Sequence, residues 1–178
     1  MITNKHPKTL NASWFETPLG SMLAISDETS LWLLKFVEKH DIKTEIEKFQ
    51  LQTNTVVVHE SSPVPVIESI KAELLSYFDG SLKEFTTPLH LEGTPFQKAT
   101  WLELSKIPYG QTKSYLDQAI SMDKPTACRA VANANGANQI AIAIPCHRII
   151  NKNGKLGGYA GGVARKKWLL NHENQNVC

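Results

Sequence analysis

The hydrophobic pattern of the chain changes near residue 92, and this change limits the possible fold more than any other feature. Before it, short apolar runs alternate with turn residues, as is typical of a small sheet. Segments 12–16 and 21–26, joined by a turn over 17–20, predict a β-hairpin, and 31–37 predicts a third strand. The N-terminal part is therefore expected to contain an antiparallel sheet.

Two amphipathic helices are predicted to follow these strands. Apolar residues within 42–49 recur at the spacing of a short helix. A second helix is expected to begin at Ser62-Pro63 and to end at Asp79-Gly80, with apolar residues at helical spacing between them. Segment 85–91 is expected to link the two parts of the chain as a loop or short strand.

The part after residue 92 is predicted to be mostly helical. Thr94-Pro95-Phe96-Gln97 and Ser114-Tyr115-Leu116-Asp117 each place a capping hydroxyl three residues before a side chain that completes a capping box. Helices are predicted over 94–104, 114–120, 126–133 and 163–172. Because the second and third of these are short and are separated by a turn, they predict a helix-turn-helix.

We therefore predict an α+β fold with a small sheet-and-helix domain at residues 1–91 and a mostly helical domain at 92–178. A length of 178 residues accommodates two such domains. No apolar run approaches a length of about 20 residues, which a bilayer-spanning helix needs, and segment 1–10 lacks the apolar core of a signal peptide. We expect a cytoplasmic protein without a membrane partner.

The three cysteines, Cys128, Cys146 and Cys178, are too few and too scattered for a disulfide framework. Because no pair has CxxC spacing, a structural zinc site is not expected. A reducing compartment, in which free thiols persist, fits this cysteine usage. We expect neither a metal nor a cofactor.

The net charge of +2 conceals an asymmetry along the chain. Residues 1–100 carry 9 Lys and Arg against 13 Asp and Glu, whereas residues 101–178 carry 10 against 4, which gives the second part a net charge of +6. A basic part is typical of proteins that bind a polyanion. The alternative is a basic face that is simply solvated.

The run Ile144-Pro145-Cys146-His147-Arg148 carries the most reactive side chains of the sequence. The apolar residues 140–144 predict a buried strand that leads into it. His147 can accept the thiol proton, and Arg148 adds positive potential that favours a thiolate, the nucleophilic form. The alternative is a cysteine that merely fills the core. Since adjacent residues of an extended chain face opposite sides, a contact between Cys146 and His147 requires a turn or a bridging water.

Glu173 and Arg129 are further candidates. A third group should orient the histidine, and Glu173 lies at the end of the last helix, where an acid is unfavourable for the helix dipole; the alternative is an exposed terminal glutamate. Arg129 is a long cation among small residues. It is either inserted into a partner or at the rim of a helix that packs on the core.

Seven short runs in the second part of the chain form one recognisable set. They are Thr94-Pro95-Phe96-Gln97, Ile107-Pro108-Tyr109-Gly110, Arg129-Ala130-Val131, Asn135-Gly136-Ala137-Asn138, Pro145-Cys146-His147-Arg148, Gly157-Gly158-Tyr159-Ala160-Gly161-Gly162 and Lys167-Trp168-Leu169-Leu170-Asn171-His172-Glu173. With these runs the chain resembles the O6-alkylguanine-DNA alkyltransferases, also called methylated-DNA–protein-cysteine methyltransferases. The similarity is dense from about Gly93 to Glu173 and weak before that.

The resemblance implies DNA repair by irreversible transfer of an alkyl group from O6 of guanine to Cys146, so that each molecule acts once. O4-alkylthymine stays open as a second substrate. His147 is implied to act as the base through a water, Glu173 to hold the imidazole in its productive tautomer, and Asn138 to brace the active-site turn. The implied partner is double-stranded DNA containing O6-alkylguanine, bound by a monomer without a small-molecule cofactor.

The same resemblance implies which residues bind DNA. The second helix of the helix-turn-helix is implied to enter the minor groove, where Arg129 fills the gap left by the extruded nucleotide. Tyr115 is implied to help turn that nucleotide and to donate toward its base. The remaining residues implied to bind the base or the DNA are Arg148, Ile149, Tyr159 and Ala160.

Three positions depart from the family pattern, since Gln139 replaces a proline, Ala132 a glycine and Lys113 an apolar residue. These changes affect loop rigidity and DNA affinity rather than the reacting group. Two other functions stay open: a module that binds damaged DNA without chemistry, and a transcription regulator built on the helix-turn-helix. The small residues of the second helix offer few side chains for base readout, which counts against the regulator.

Overall fold

The computed structural model describes residues 7–59 and 62–177. Its backbone contacts divide the chain into two compact units. The N-terminal unit comprises Met1–Ala72 and Thr87–His90, and the C-terminal unit comprises Glu73–Thr86 and Leu91–Cys178. Together they have the α+β fold that the sequence predicts. Within the described residues, no helix is long and apolar enough to cross a membrane.

The N-terminal unit contains a four-stranded sheet in the order β3-β2-β1-β4. The strands are β1 (Lys8–Thr17), β2 (Gly20–Ser26), β3 (Leu31–Phe36) and β4 (Thr55–Val58). The predicted hairpin and third strand are confirmed, and both of their pairings are antiparallel. The sequence analysis missed β4, which pairs parallel to β1. Four residues are too few to show a period of two clearly.

One face of this sheet packs against α1 (Ile42–Thr53), the predicted short helix. Phe49 lies in the same core cluster as Leu10, Leu23 and Ile25, all of which are buried. Each fully buried aliphatic side chain stabilises the fold by about 1.5–3 kcal/mol. Asn54 ends α1 in the left-handed conformation (φ 52°), which asparagine tolerates better than most residues. The predicted second helix is α2 (Pro65–Phe78), which contributes residues to both units.

The C-terminal unit contains the predicted helices α3 (Pro95–Leu104), α4 (Tyr115–Ser121), α5 (Cys128–Gly136) and α6 (Val163–Gln175). Both capping boxes are present at the starts of α3 and α4. The helix-turn-helix is formed by α4 and α5, although α5 extends beyond the predicted segment 126–133. The Gln118 and Asn135 side-chain amides donate to each other and join the two helices.

The predicted strand over residues 140–144 is wrong, because this segment forms a tight turn. The Asn138 side chain accepts a hydrogen bond from the Ile140 amide (2.9 Å) and donates to the Ile144 carbonyl (2.9 Å). These bonds replace the ladder that a strand would need. Ile142 has φ 68°, a conformation that is rare and strained for a β-branched residue. The turn leads into a 3-10 helix at Cys146–Arg148.

Directly after this 3-10 helix, β6 (Ile149–Ile150) pairs in parallel with β5 (Lys113–Ser114). Neither two-residue strand was predicted. Since Ser114 also caps α4, the pairing brings the start of that helix next to the Cys146 segment. This places Tyr115, the first residue of α4, near the candidate nucleophile.

Candidate active site

Cys146 lies at the first position of the 3-10 helix and is 8% exposed. The Asn138 side chain donates to its sulfur at 3.2 Å while also holding the turn that precedes it. One amide group therefore sets both the backbone path and the environment of the thiol. For Cys146 and His147 to make contact, the sequence analysis required a turn or a bridging water, and the 3-10 helix supplies a turn.

His147 is fully buried, and its Nε2 lies 2.7 Å from Glu173 Oε1. Because an ionised carboxylate only accepts hydrogen bonds, Nε2 carries the ring proton and Nδ1 carries a lone pair. Among the described residues, this Nδ1 atom has no hydrogen-bond partner and is buried. The imidazole is thus held with an unprotonated nitrogen available to receive a proton.

Glu173 is buried in α6 rather than exposed at the end of the chain. Its Oε1 accepts from His147 Nε2, from the Tyr77 hydroxyl (2.8 Å) and from Arg148 Nη2 (3.0 Å). Its Oε2 accepts from the Gly110 amide (3.0 Å) and from Arg148 Nε (2.9 Å). The alternative of a solvated terminal glutamate is therefore excluded. A carboxylate held by five donors is a rigid anchor for the imidazole.

Arg148 lies behind His147 rather than beside the cysteine sulfur. Besides its bonds to Glu173, its Nη1 donates to the Ile107 carbonyl at 2.7 Å. The side chain is 7% exposed, so the guanidinium neutralises Glu173 inside the protein. The sequence analysis expected Arg148 to favour the thiolate and to contact substrate. In the structure, Arg148 instead donates to Glu173, and Glu173 in turn accepts from His147.

The resting state of the site has a neutral thiol and a neutral imidazole. Burial raises the pKa of Cys146, and the Asn138 hydrogen bond and the Lys166 charge only partly oppose it. Burial likewise lowers the pKa of His147, against the opposing effect of Glu173. Although burial raises the pKa of Glu173, hydrogen bonds from His147 and Arg148 and the positive charge of Arg148 lower it to about 2. Glu173 is therefore the ionised member of this group.

A cavity of about 310 Å³ opens at Cys146, within the range of about 300–1,000 Å³ found for small-molecule sites. Small side chains from α5 and from the loop before α6 form much of its wall, and two tyrosines complete it. The lining residues include Tyr115, Ala132, Cys146, Tyr159 and Ala160. The structure thus brings the thiol, both predicted tyrosines and Ala160 to one space.

Both tyrosines of the cavity are protonated at neutral pH. Burial raises the pKa of Tyr115 and raises that of Tyr159 well above its usual value, with a further upward contribution from Cys146 in each case. The Tyr159 hydroxyl has no partner among the described residues, and its ring meets that of His147 edge-on at 6.4 Å. These hydroxyls can donate to a ligand but cannot take its proton.

The loop that carries Tyr159 approaches α4 closely. Gly157 has φ +69°, and a Cβ atom there would lie 3.1 Å from the Tyr115 hydroxyl oxygen. Both the left-handed backbone and the close approach explain the glycine at this position.

Lys166 is a site residue that the sequence analysis missed. It is fully buried in α6, and its ammonium donates to the carbonyls of Ile149 (2.5 Å) and Gly158 (3.1 Å). Burial lowers the pKa of Lys166 to about 8. Lys166, Leu169 and Glu173 are three and four residues apart, so they lie on one face of the helix. This spacing could have predicted from the sequence that Lys166 is buried with the other two. Ile149, one of the residues implied to bind the base, thus has a backbone carbonyl that already accepts a hydrogen bond from Lys166.

Arg129 does not line the cavity. It lies exposed near the start of α5, whereas Val131, Ala134 and Asn135 on the same helix are buried. The indole of Trp101 donates to the Ala134 carbonyl at 2.8 Å and fixes the buried side of α5. Arg129 is therefore placed on the solvent side of the second helix of the helix-turn-helix.

The fold and the site together define a class: proteins that place a buried cysteine, at the edge of a cavity, in the same unit as a helix-turn-helix. Two family models match the chain. The 6-O-methylguanine DNA methyltransferase ribonuclease-like domain matches residues 11–91, and the DNA binding domain of the same name matches residues 95–175.

Full-length relatives agree with these matches. A methylated-DNA–protein-cysteine methyltransferase of Methanosarcina barkeri is 41% identical over 91% of this chain and 96% of its own length. The constitutive enzyme of that name from Bacillus subtilis is 41% identical over 89% of this chain and 92% of its own. The crystal structure of Mycobacterium tuberculosis OGT in complex with DNA has a TM-score of 0.76 and 34% identity over 94% of both chains. The chain belongs to the methylated-DNA–protein-cysteine methyltransferase family.

Proposed function

We propose that this protein repairs DNA by transferring an alkyl group from O6-alkylguanine to its own Cys146, once and irreversibly. The observation that carries this proposal is the position of Cys146. Its thiol lines a cavity, and the next residue in the chain is a histidine whose Nε2 is anchored on a buried carboxylate. Family membership supports the same reaction and names its substrate class.

The transfer is a displacement at the alkyl carbon. The thiol proton passes by way of a water to His147 Nδ1, the Cys146 sulfur bonds to the alkyl carbon, and the bond from that carbon to O6 breaks. Guanine leaves with the electron pair and takes up one proton, so that the thiol loses as many protons as the base gains. Tyr115 donates a hydrogen bond to the base and improves the leaving group. The product is a thioether, which no group of the site can cleave.

An atom inside a stacked duplex cannot reach this cavity, so the base has to be extruded. Extrusion costs a few kcal/mol of lost stacking and pairing. We assign Arg129 to the space that the base vacates, since it projects from the exposed side of α5. The small side chain of Ala132 lines the cavity, which suits a helix that lies close to the DNA backbone in the minor groove.

The proposed partner is double-stranded DNA that contains O6-alkylguanine, bound by a monomer. The net charge of +6 over residues 101–178 supports sequence-independent binding to phosphates. A thiol acceptor also has to stay reduced, which supports a cytoplasmic location. No group of three or more metal-ligating side chains occurs within the part of the chain that the structure describes, and the proposed reaction needs none.

The direct test is to incubate the protein with duplex DNA that contains O6-methylguanine and to weigh the peptide that carries Cys146. We expect a gain of one methylene mass, at most one per molecule. Unmethylated duplex and the C146S variant are the controls, and neither should gain mass. An unchanged Cys146 peptide after long incubation would refute transfer.

One observation favours a second function, which is binding of damaged DNA without chemistry. Burial raises the pKa of Cys146, and a thiol that never ionises would bind the lesion without attacking it. In the same experiment this function predicts tighter binding of the methylated duplex than of the unmethylated duplex, with no mass gain.

A further inference from the structure

Tyr77 is fully buried near the end of α2, in the segment that belongs to the C-terminal unit. Its hydroxyl donates to Glu173 Oε1 at 2.8 Å, and His147 Nε2 donates to the same oxygen at 2.7 Å. Two side chains 70 positions apart in the sequence thus share one acceptor atom. The sequence analysis assigned Tyr77 no role, because its partner lies 96 residues away along the chain.

We propose that Tyr77 is a positioning residue for alkyl transfer, acting through Glu173 to keep His147 a weak base with Nδ1 free for the thiol proton. This inference rests on the function proposed above. The Tyr77 hydroxyl does not touch the substrate. This hydroxyl, rather than the aromatic ring, is the group that serves the reaction.

Tyr77 can affect the basicity of His147 because both side chains donate to the same negatively charged oxygen of Glu173. Each donor to Oε1 draws part of its negative charge, so less of that charge is left to stabilise a proton on His147. Removing the Tyr77 hydroxyl leaves His147 facing a more negative oxygen. An imidazolium then becomes more stable, and the pKa of His147 rises.

Other charged and titratable groups surround Tyr77 and His147. We expect their effects on the pKa of His147 to stay constant when the Tyr77 hydroxyl is removed. Arg148 and Lys166 lower the pKa of His147 by their charges. The His147 ring also meets Tyr159, and the ring of Tyr77 meets those of Tyr109 and His172.

The ring of Tyr77 has a structural role that has to be separated from that of its hydroxyl. It packs at ring-centroid distances of 5.4–5.9 Å against Phe78, Phe85, Tyr109 and His172. A phenylalanine keeps these contacts, so Y77F removes little more than the hydrogen bond.

Tyr109 supplies a matched control. Its ring meets that of Tyr77 edge-on at 5.9 Å, and its buried hydroxyl has no partner among the described residues. The Y109F variant therefore removes a hydroxyl from the same aromatic cluster without removing a hydrogen bond to Glu173.

The test compares wild type, Y77F and Y109F in the pH dependence of the transfer rate from O6-methylguanine duplex. The rate falls at low pH as His147 becomes protonated. We expect the midpoint of this fall to move upward by about half a unit to one unit in Y77F and to stay unchanged in Y109F. A purely structural role would lower the Y77F rate at all pH values without moving the midpoint, and that result would overturn the proposal.

A second measurement does not depend on transfer. Titration of the His147 imidazole by ¹⁵N NMR, assigned with the H147Q variant, should show the same upward shift in Y77F and none in Y109F. If wild type fails to transfer but the NMR shift is present, the proposed function fails while the coupling of Tyr77 to His147 stands. If His147 titrates identically in all three proteins, the role of Tyr77 is refuted.

Discussion

Replacing Glu173 by glutamine tests the anchor on which the site depends. The carboxylate accepts five hydrogen bonds: three at Oε1 and two at Oε2. Whichever oxygen becomes the amide nitrogen, two or three of these donors then face another donor. The Arg148 charge is also left buried without its counter-ion. Breaking a buried ion pair in this way costs about 3–5 kcal/mol.

The shift in the pKa of Glu173 gives a second magnitude for the same hydrogen bonds and charges. Its pKa is lowered from 4.5 to about 2, which corresponds to about 3 kcal/mol of stability at neutral pH. Because the folded-state pKa is depressed, this stabilisation is complete above pH 4.5 and is lost as the pH falls from 4.5 toward 2. The difference in stability between wild type and E173Q should shrink over the same window.

Thermal unfolding at neutral pH is the assay, with E103Q as the matched control. Glu103 is also buried, but it pairs with a Lys106 side chain that is 70% exposed, and such pairs contribute about 0–1 kcal/mol. For a chain of this size, the loss at Glu173 predicts a melting temperature about 6–20 °C lower. A shift in E173Q no larger than that in E103Q would refute the reasoning.

Three further predictions concern transfer itself. The C146S variant should lose transfer and keep its affinity for methylated duplex, as measured by fluorescence anisotropy; lost binding would make Cys146 mainly structural. The R129A variant should repair duplex at least tenfold more slowly yet react normally with free O6-benzylguanine, and equal losses would contradict a role in extrusion. Alkylated protein should be less stable than free protein by about 1–3 kcal/mol, because the added carbon crowds the Asn138 contact to the sulfur; an unchanged unfolding midpoint would count against this.

Local signals in the sequence predicted much of the fold. The capping boxes at Thr94 and Ser114 depend on residues three positions apart, and both are present. The error at 140–144 arose because an apolar run has the same composition in a buried turn as in a buried strand. The deciding group was the Asn138 side chain, whose hydrogen bonds close the turn.

The site was predictable where the residues lie in one motif and not where the contacts are long-range. Cys146 and His147 are neighbours in the sequence, and this adjacency made them candidates. Glu173 was selected for its position at the end of the last helix, whereas Lys166, which is buried in the same helix, was missed. No local pattern joins Tyr77 to Glu173, since only the packing of α2 residues beside α6 brings the hydroxyl to the carboxylate.

The protonation states of the site explain why the buried thiol is unreactive before substrate binds. Burial disfavours the charged form of both Cys146 and His147, so the resting pair is neutral and its sulfur is a weak nucleophile. An acceptor that is consumed by a single transfer is protected in this state from stray electrophiles and oxidants. A bound base changes the balance, because its leaving group takes up a proton as the thiol gives one up. The proposed mechanism therefore needs an imidazole that receives the proton briefly rather than one that holds it. Five donors on Glu173, Arg148 among them, limit the negative charge that could otherwise hold a proton on His147.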